Sequence, residues 1–159
     1  MLTQSWRRIV RHSAAVLPLV LMTSCGGDSS PTGPSVETSF LNGRWTGILT
    51  ISRTGEPDIS GPTTWTFVLN PGSGGRVFQT TIESQNAWFP VSTTTTTALL
   101  PAATPPTQLA THGTYPSPRG CRGDFGSDGQ VETRTIDASF DGVDCAGQVF
   151  GGRVRLTKQ

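Results

Sequence analysis

Charged side chains are scarce in this sequence: they make up 14% of its 159 residues, where about a quarter is usual in globular proteins. The 12 basic and 11 acidic residues give a net charge of +1, and three of the basic ones, Arg7, Arg8 and Arg11, stand near the start. No basic patch follows them. Because nucleic-acid binding draws its affinity from neutralised phosphates, this composition argues against a nucleic-acid partner.

Residues with catalytic or metal-binding chemistry are also few. Only two histidines occur, of which His112 alone lies beyond the first 25 residues, and G-x-S-x-G, H-E-x-x-H and S-x-x-K arrangements are absent. The acidic stretch 124–129 carries Gly126 where a calcium loop of the EF-hand kind needs an oxygen ligand. We therefore expect no enzyme, no cofactor and no metal site.

The first 25 residues have the order of an export signal. The apolar run from Ala14 to Met22 follows the three arginines and is too short to cross a bilayer, which takes about 20 residues. This pattern predicts a signal peptide over residues 1–24. The run Leu21-Met22-Thr23-Ser24-Cys25 resembles the lipobox of bacterial lipoproteins. The resemblance implies that Cys25 becomes the N-terminus and carries a diacylglyceryl group and an amide-linked acyl chain such as palmitate.

The lipoprotein resemblance also implies a location. More than one acyl chain gives stable anchoring where a single chain is marginal, so the membrane is the expected partner of Cys25. The next residue is Gly26 and not the aspartate that retains many lipoproteins at the inner membrane. The expected location is therefore the cell envelope, at the outer membrane, facing the periplasm or the surface. Without the leader the chain keeps nine basic and eleven acidic residues, a net charge of −2.

Composition divides the remaining chain into a tether and one domain. Residues 25–39 are mostly Gly, Ser, Thr and Pro with little to bury, which predicts a flexible tether behind the lipidated cysteine. Residues 40–159 are long enough for one domain with a core of ordinary size. That domain contains two cysteines, Cys121 and Cys145, and disulfides persist outside the cytosol. The two cysteines are expected to form one disulfide bond.

Apolar side chains in the domain alternate with polar ones, and helical periodicity is absent after Ser24. In the first such stretch Trp45, Leu49 and Ile51 fall on one face, as in a strand with one buried side. The pattern predicts an all-β domain with seven or eight antiparallel strands, closed into a barrel or, alternatively, packed as an immunoglobulin-like sandwich. The clearest strands are predicted over residues 44–52, 64–69, 76–83, 88–100, 131–140 and 147–157.

Two segments are rich in residues that interrupt strands. Residues 101–118 contain five prolines, each of which lacks an amide donor, and we predict mostly loop there with a short strand over 109–115. His112 is then expected on the surface of that loop. Residues 121–129 contain three glycines and are predicted to be a connection.

The start of the domain resembles that of lipocalin-like barrels and of the related avidin-like ones. In these families a Gly-x-Trp motif opens the first strand, and here Gly43 and Trp45 match it. The resemblance implies that Trp45 closes the barrel floor beneath an arginine near the last strand, either Arg153 or Arg155. An arginine stacked on an indole contributes a cation–π attraction of about 0.5 to 2 kcal/mol. The alternative is that Trp45 is an ordinary core residue.

We interpret the domain as a non-enzymatic binding module. The expected ligand is a small apolar molecule in the barrel mouth, and the other expected partner is an envelope protein. The alternative is a sandwich with a structural or protein-interaction role. Five aromatic residues either line a ligand cavity or fill the core: Trp65, Phe78, Trp88, Phe89 and Phe125.

Overall fold

The domain is a closed barrel of eight antiparallel strands. The computed structural model describes residues 38–100 and 107–159. Each strand pairs with the next along the chain, and β1 also pairs with β8, so the sheet has no open edge. The predicted barrel is confirmed, and the sandwich alternative is wrong. The strands are β1 (Gly43–Ser52), β2 (Ile59–Leu69), β3 (Val77–Asn86), β4 (Phe89–Leu99), β5 (Thr107–Pro116), β6 (Arg122–Val131), β7 (Thr135–Val143) and β8 (Val149–Lys158).

Alternation of side chains explains why these segments form a barrel. Along β2, Thr63, Trp65 and Phe67 are buried and the residues between them are partly exposed, so one face of the strand lines the interior. Buried and more exposed positions alternate over most of the other strands as well. A closed sheet with one apolar face places that face inside, where its side chains fill the space.

The barrel has two different ends. At the floor end a short 3-10 helix, Thr38–Leu41, precedes β1, and β8 finishes beside it. Leu41 is fully buried, and its carbonyl accepts a hydrogen bond of 2.9 Å from Nε1 of Trp45. Residues 38 and 39 therefore belong to this helix and not to the predicted tether. The opposite, mouth end consists of the loops over residues 53–58, 87–88, 117–121 and 144–148.

Aromatic side chains fill both halves of the interior. The floor half holds a cluster in which ring centroids lie 6.1 to 6.5 Å apart, formed by Trp45, Trp65, Phe67 and Phe78. The mouth half holds a second cluster, formed by Phe89, Tyr115, Phe125, Phe140 and Phe150. The core assignment of Trp65, Phe78, Phe89 and Phe125 is thus confirmed, whereas Trp88 is only partly buried at the mouth.

The interior also contains a polar row across three strands. The hydroxyl groups of Thr80 and Thr97 are 2.7 Å apart, and those of Thr97 and Thr111 are also 2.7 Å apart. All three residues are fully buried. A buried hydroxyl without a partner would destabilise the fold, so this hydrogen-bonded row makes threonine acceptable inside the barrel.

The junction of β4 and β5 is the shortest run of pairing in the barrel. Backbone pairing extends only from Thr96 with His112 to Leu99 with Leu109. Closer to the mouth, the Thr95 hydroxyl donates to the carbonyl of His112, and the Thr93 hydroxyl donates to that of Thr114 over 3.0 Å. Threonine side chains of β4 therefore replace backbone donors at this seam.

The sequence predictions in this region are only partly right. The short strand predicted over 109–115 is confirmed as β5, but β5 runs from Thr107 to Pro116, so the loop predicted around it is too long; residues 101–106 lie outside the described part. The connection predicted over 121–129 lies almost wholly within β6. The strand predicted over 131–140 corresponds to β7, which begins only at Thr135, after β6 ends at Val131 and a turn covers residues 132–134.

Candidate functional site

The predicted anchor lies outside the described residues. Cys25, the signal peptide over 1–24 and nearly all of the tether fall before residue 38, where the description begins. Within residues 38–100 and 107–159, no helix is long and apolar enough to span a bilayer.

The cation at the barrel floor is a lysine. Trp45 is fully buried, and Nζ of Lys158, the last residue of β8, lies 5.8 Å from the centroid of its ring. The same ammonium group donates a hydrogen bond to the carbonyl of Phe40. Gly43 begins β1 with a φ of +112°, a conformation that residues with a side chain rarely adopt. Gly43 and Trp45 thus lie at the floor end of the barrel, while the arginine assignment needs correction.

Arg153 and Arg155 lie on the outer face of the barrel, away from Trp45. Their side chains are 56% and 68% exposed, and both contact the carboxylate of Asp137, Arg155 at 3.3 Å. They fall two residues apart on β8, so both point outward by the period of the strand. The hydrogen bond from Arg153 is the main cause that lowers the pKa of Asp137.

A hollow of about 770 Å³ surrounds these groups on the outer face of β6, β7 and β8. Its charged side chains are Glu132, Asp137, Arg153 and Arg155, and the last three pair with one another. The two positive and two negative charges balance, so the hollow has no net charge to attract an ionic ligand.

The disulfide bond joins two loops of the mouth. Cys121 and Cys145 are bonded, with their Cα atoms 5.8 Å apart, as the sequence predicts. Cys121 ends the loop between β5 and β6, and Cys145 lies in the loop between β7 and β8. The bond therefore links two of the four mouth loops covalently.

A smaller cavity of about 160 Å³ opens between these loops and the other two. Its walls combine apolar surface with hydroxyl and charged groups, and Tyr115 connects it to the aromatic cluster beneath. We call it the mouth cavity; it is lined by Arg53, Ala87, Trp88, Tyr115, Ser117, Pro118, Arg119 and Asp144.

Arg53 and Trp88 form one wall of the mouth cavity. Cζ of Arg53 lies 4.4 Å from the centroid of the Trp88 ring, within the range of a cation–π contact. Nε of Arg53 is buried and has no hydrogen-bond partner among the described residues. A buried donor without an acceptor is unusual, since nearly all such groups in folded proteins are paired.

A buried asparagine fixes the turn that carries Trp88. Nδ2 of Asn86 donates to the carbonyls of Leu49 at 2.9 Å and Ile59 at 2.8 Å, and its Oδ1 accepts from the amide of Trp88 at 3.0 Å. Gly61 allows this approach, because a Cβ there would come within 2.6 Å of Cα of Asn86. The Trp88 backbone is thus held against β1 and β2.

Asp144 organises the opposite wall. Its Oδ1 accepts from the amides of Ala146 and Gln148, both at 2.9 Å, and its Oδ2 lies 3.5 Å from Nε of Arg119. These hydrogen bonds, first that from Gln148, lower the pKa of Asp144 although its side chain is almost fully buried. The Asp144 charge is therefore compensated from within the loop.

Tyr115 contributes a neutral hydroxyl to the cavity. Burial, and then the nearby Asp144 carboxylate, raise the pKa of its phenol above the usual value near 10. The phenol accordingly stays protonated at neutral pH. It can therefore donate a hydrogen bond to a group in the cavity.

His112 lies on β5, not in a loop, and it is exposed as predicted. It sits next to Gly126 and near Asp141 on the outer surface, at the edge of a second open hollow. Within the described ranges, no group of three or more His, Cys, Asp or Glu side chains is arranged to hold a metal ion.

Sequence reasoning did not find the mouth cavity. Arg53, Trp88, Ser117 and Asp144 come from four different loops, and no local motif links them. The nearest signal is the cysteine pair, which brings two of the four loops together. The fold and site define an eight-stranded antiparallel barrel with Leu41 and Trp45 buried at its floor and a small cavity of mixed apolar and polar walls at its mouth. No protein-family model matches the chain, and no curated protein matches it either.

Proposed function

We propose that this chain is a lipoprotein of the bacterial cell envelope whose barrel binds a small ligand at the mouth. Cys25 carries the lipid anchor at the outer membrane, residues 26–37 act as the tether, and the domain functions by binding, without catalysis. The ligand has an apolar part, which contacts Trp88 and the aromatic side chains below it.

The difference between the two ends of the barrel carries this proposal. The floor is occupied by Leu41 and Trp45, both fully buried, with Lys158 beside the indole. The mouth holds a cavity of about 160 Å³ with an aromatic wall and several polar groups. Small-molecule sites commonly combine an apolar wall with a few placed polar groups, and barrel mouths are a frequent location for them.

The anchor is tested by replacing the sulfur. In the bacterial host, wild-type protein should incorporate labelled palmitate and sediment with membranes, whereas Cys25→Ser should do neither. Ser29→Ala is the matched control, since it changes a side chain outside the lipobox and should leave labelling unchanged. Palmitate label on Cys25→Ser, or its absence from the wild type, would contradict the anchor.

Ligand binding is tested on protein purified gently from its own host. Native mass spectrometry should find a fraction of the chain with an added mass below about 300 Da that is lost on denaturation. Trp88→Ala should reduce the occupied fraction, because it removes the apolar wall, whereas Trp45→Phe at the floor should not. If wild-type protein carries no added mass and extracts of the host leave its melting temperature unchanged, the domain has another role, such as protein interaction.

A further inference from the structure

We infer that the ligand of the mouth cavity carries a carboxylate on a small ring or short apolar chain, and that Arg53 binds this carboxylate. The inference rests on the proposed function, because it names the chemical class that the same cavity accepts. It begins from the one buried polar side-chain atom without a partner in the described part of the barrel, Nε of Arg53.

Nε of Arg53 has no acceptor among the described residues, and because the atom is also shielded from solvent, the guanidinium must shift towards the cavity for a ligand to pair with it. Burial removes water from this donor, and leaving a charged donor unpaired is more costly than leaving a neutral one. Arg53 stacks on Trp88, which holds the plane of the guanidinium in place without using its N–H groups. Two parallel N–H bonds to one carboxylate are the strongest pairing that such a planar group can make.

The charges around the cavity favour an anion. Asp144 is the acidic residue in the lining, and its two oxygens are occupied by two backbone amides and by Arg119. With two arginines against this one carboxylate, the lining as a whole keeps a net positive charge. Tyr115 and Ser117 add hydroxyl groups that can donate to the same anion.

The size and walls of the cavity limit the rest of the ligand. A cavity of about 150 Å³ suffices for a benzene ring, and the mouth cavity has about 160 Å³. Ala87, Trp88 and Pro118 supply its apolar surface. A single ring or a chain of a few carbons fits this space, whereas a long acyl chain would have to displace the aromatic cluster below.

The test compares two probes of nearly equal shape, benzoate and benzamide, on the detergent-solubilised full-length protein. Titration is followed by calorimetry and by the indole N–H resonance of Trp88. Benzoate should bind roughly tenfold or more tightly than benzamide, since only benzoate offers a charged acceptor. Raising the salt concentration should weaken benzoate and leave benzamide unchanged.

Variants assign the effect to Arg53. Arg53→Gln should remove the preference for benzoate, and Arg119→Gln should reduce it less, because Arg119 already pairs with Asp144. Arg76→Gln, an exposed position at the floor end, should match the wild type. The comparison of probes on wild-type protein needs no variant, so it remains informative if Arg53→Gln folds poorly.

Each other result overturns a specific claim. Equal binding of the two probes would overturn the carboxylate and leave the ligand site of the proposed function standing. A benzoate preference that persists in a folded Arg53→Gln protein would overturn the role of Arg53. If neither probe shifts the Trp88 resonance at 10 mM, the inference of a carboxylate ligand is wrong. If, in addition, native mass spectrometry finds no bound ligand, the ligand site of the proposed function is also wrong.

Discussion

Lys158 places its ammonium group 5.8 Å from the centroid of the Trp45 ring and donates to the carbonyl of Phe40. The last residue of the last strand thereby connects the first strand with the helix before it. Since β1 pairs with β8 from Trp45 and Lys158 onwards, this contact lies where the sheet closes. We expect it to stabilise the barrel floor.

Lys158→Met tests that contact, because methionine keeps the apolar stem and removes the charge. Loss of the cation–π attraction and of one hydrogen bond should lower the free energy of unfolding by about 1 to 2 kcal/mol. Arg155→Met, an exposed position on the same strand, should cost less than about 0.5 kcal/mol. Urea unfolding followed by tryptophan fluorescence measures both changes. Equal decreases in the free energy of unfolding would show that the Lys158 contact does not stabilise the floor more than an exposed charge on the same strand.

Removing the disulfide should destabilise the domain strongly. The two cysteines are separated by 24 residues in the sequence, and closing a loop of that length contributes about 3.5 kcal/mol on the chain-entropy model. Replacing Cys121 and Cys145 together by alanine should therefore lower the melting temperature by many degrees. Thiol labelling of the denatured, unreduced protein, in a Cys25→Ala background, checks the bond itself; labelling of either remaining cysteine would refute it.

The depressed pKa of Asp144 predicts how stability depends on pH. A carboxyl group with a lower pKa in the native state adds stability that is present above its unfolded value, about 3.9, and is lost as the pH falls through the native value. Asp144→Asn keeps an oxygen for the Ala146 and Gln148 amides but has no charge. Its stability should be lower at pH 7 and should fall less between pH 5 and 3 than that of the wild type.

Urea unfolding at several pH values measures this difference. Asp58→Asn, an exposed position in a loop of the same end, should give a curve parallel to the wild type. Asp137 should contribute the same loss of stability at low pH in the wild type and in both variants, because its contacts are on the outer face. Parallel curves for Asp144→Asn and the wild type would contradict the assigned role of the carboxylate.

The strands that the sequence predicts well are those with large apolar residues on the inner face. In β2, Trp65 and Phe67 alternate with threonine and valine, so the period of two is visible. In β6 the inner positions include Gly123, Ser127 and Gly129, and the alternation disappears from the hydrophobicity pattern. Small inner residues are needed there: a Cβ at Gly123 would come within 2.6 Å of the Tyr115 ring.

Other mistakes have equally local causes. The turn between β6 and β7 reads Glu132-Thr133-Arg134 and lacks Gly, Pro, Asn and Asp, so nothing in it signals a turn. The family resemblance implies an arginine as the floor cation, but a lysine takes that place. The mouth cavity depends on loops far apart in the chain, and only the closure of the barrel brings them together.

Thr95 and Gly113 are tightly packed against each other at the seam between β4 and β5. The side chain of Thr95 lies over Gly113. A Cβ added at Gly113 would clash with the Thr95 hydroxyl and would come within 2.8 Å of the Thr95 Cβ. It would also lie 3.0 Å from Cε1 of Phe125. Gly113→Ala should therefore push the strands apart and lower the free energy of unfolding by about 1 to 3 kcal/mol. Gly151→Ala is the control, because its added carbon would lie 3.9 Å from the nearest atom, the Phe140 carbonyl oxygen.

Two measurements separate a local opening of the seam from a general loss of stability. Backbone pairing between β4 and β5 stops at Thr96 and His112, so amide hydrogen exchange in Gly113→Ala should rise most over residues 89–95. Thr95→Ala removes the hydroxyl that the new methyl group meets, and the two substitutions together should cost less than the sum of their separate effects. Additive effects, or exchange that rises uniformly over the eight strands, would mean that the threonine side chain does not hold this seam.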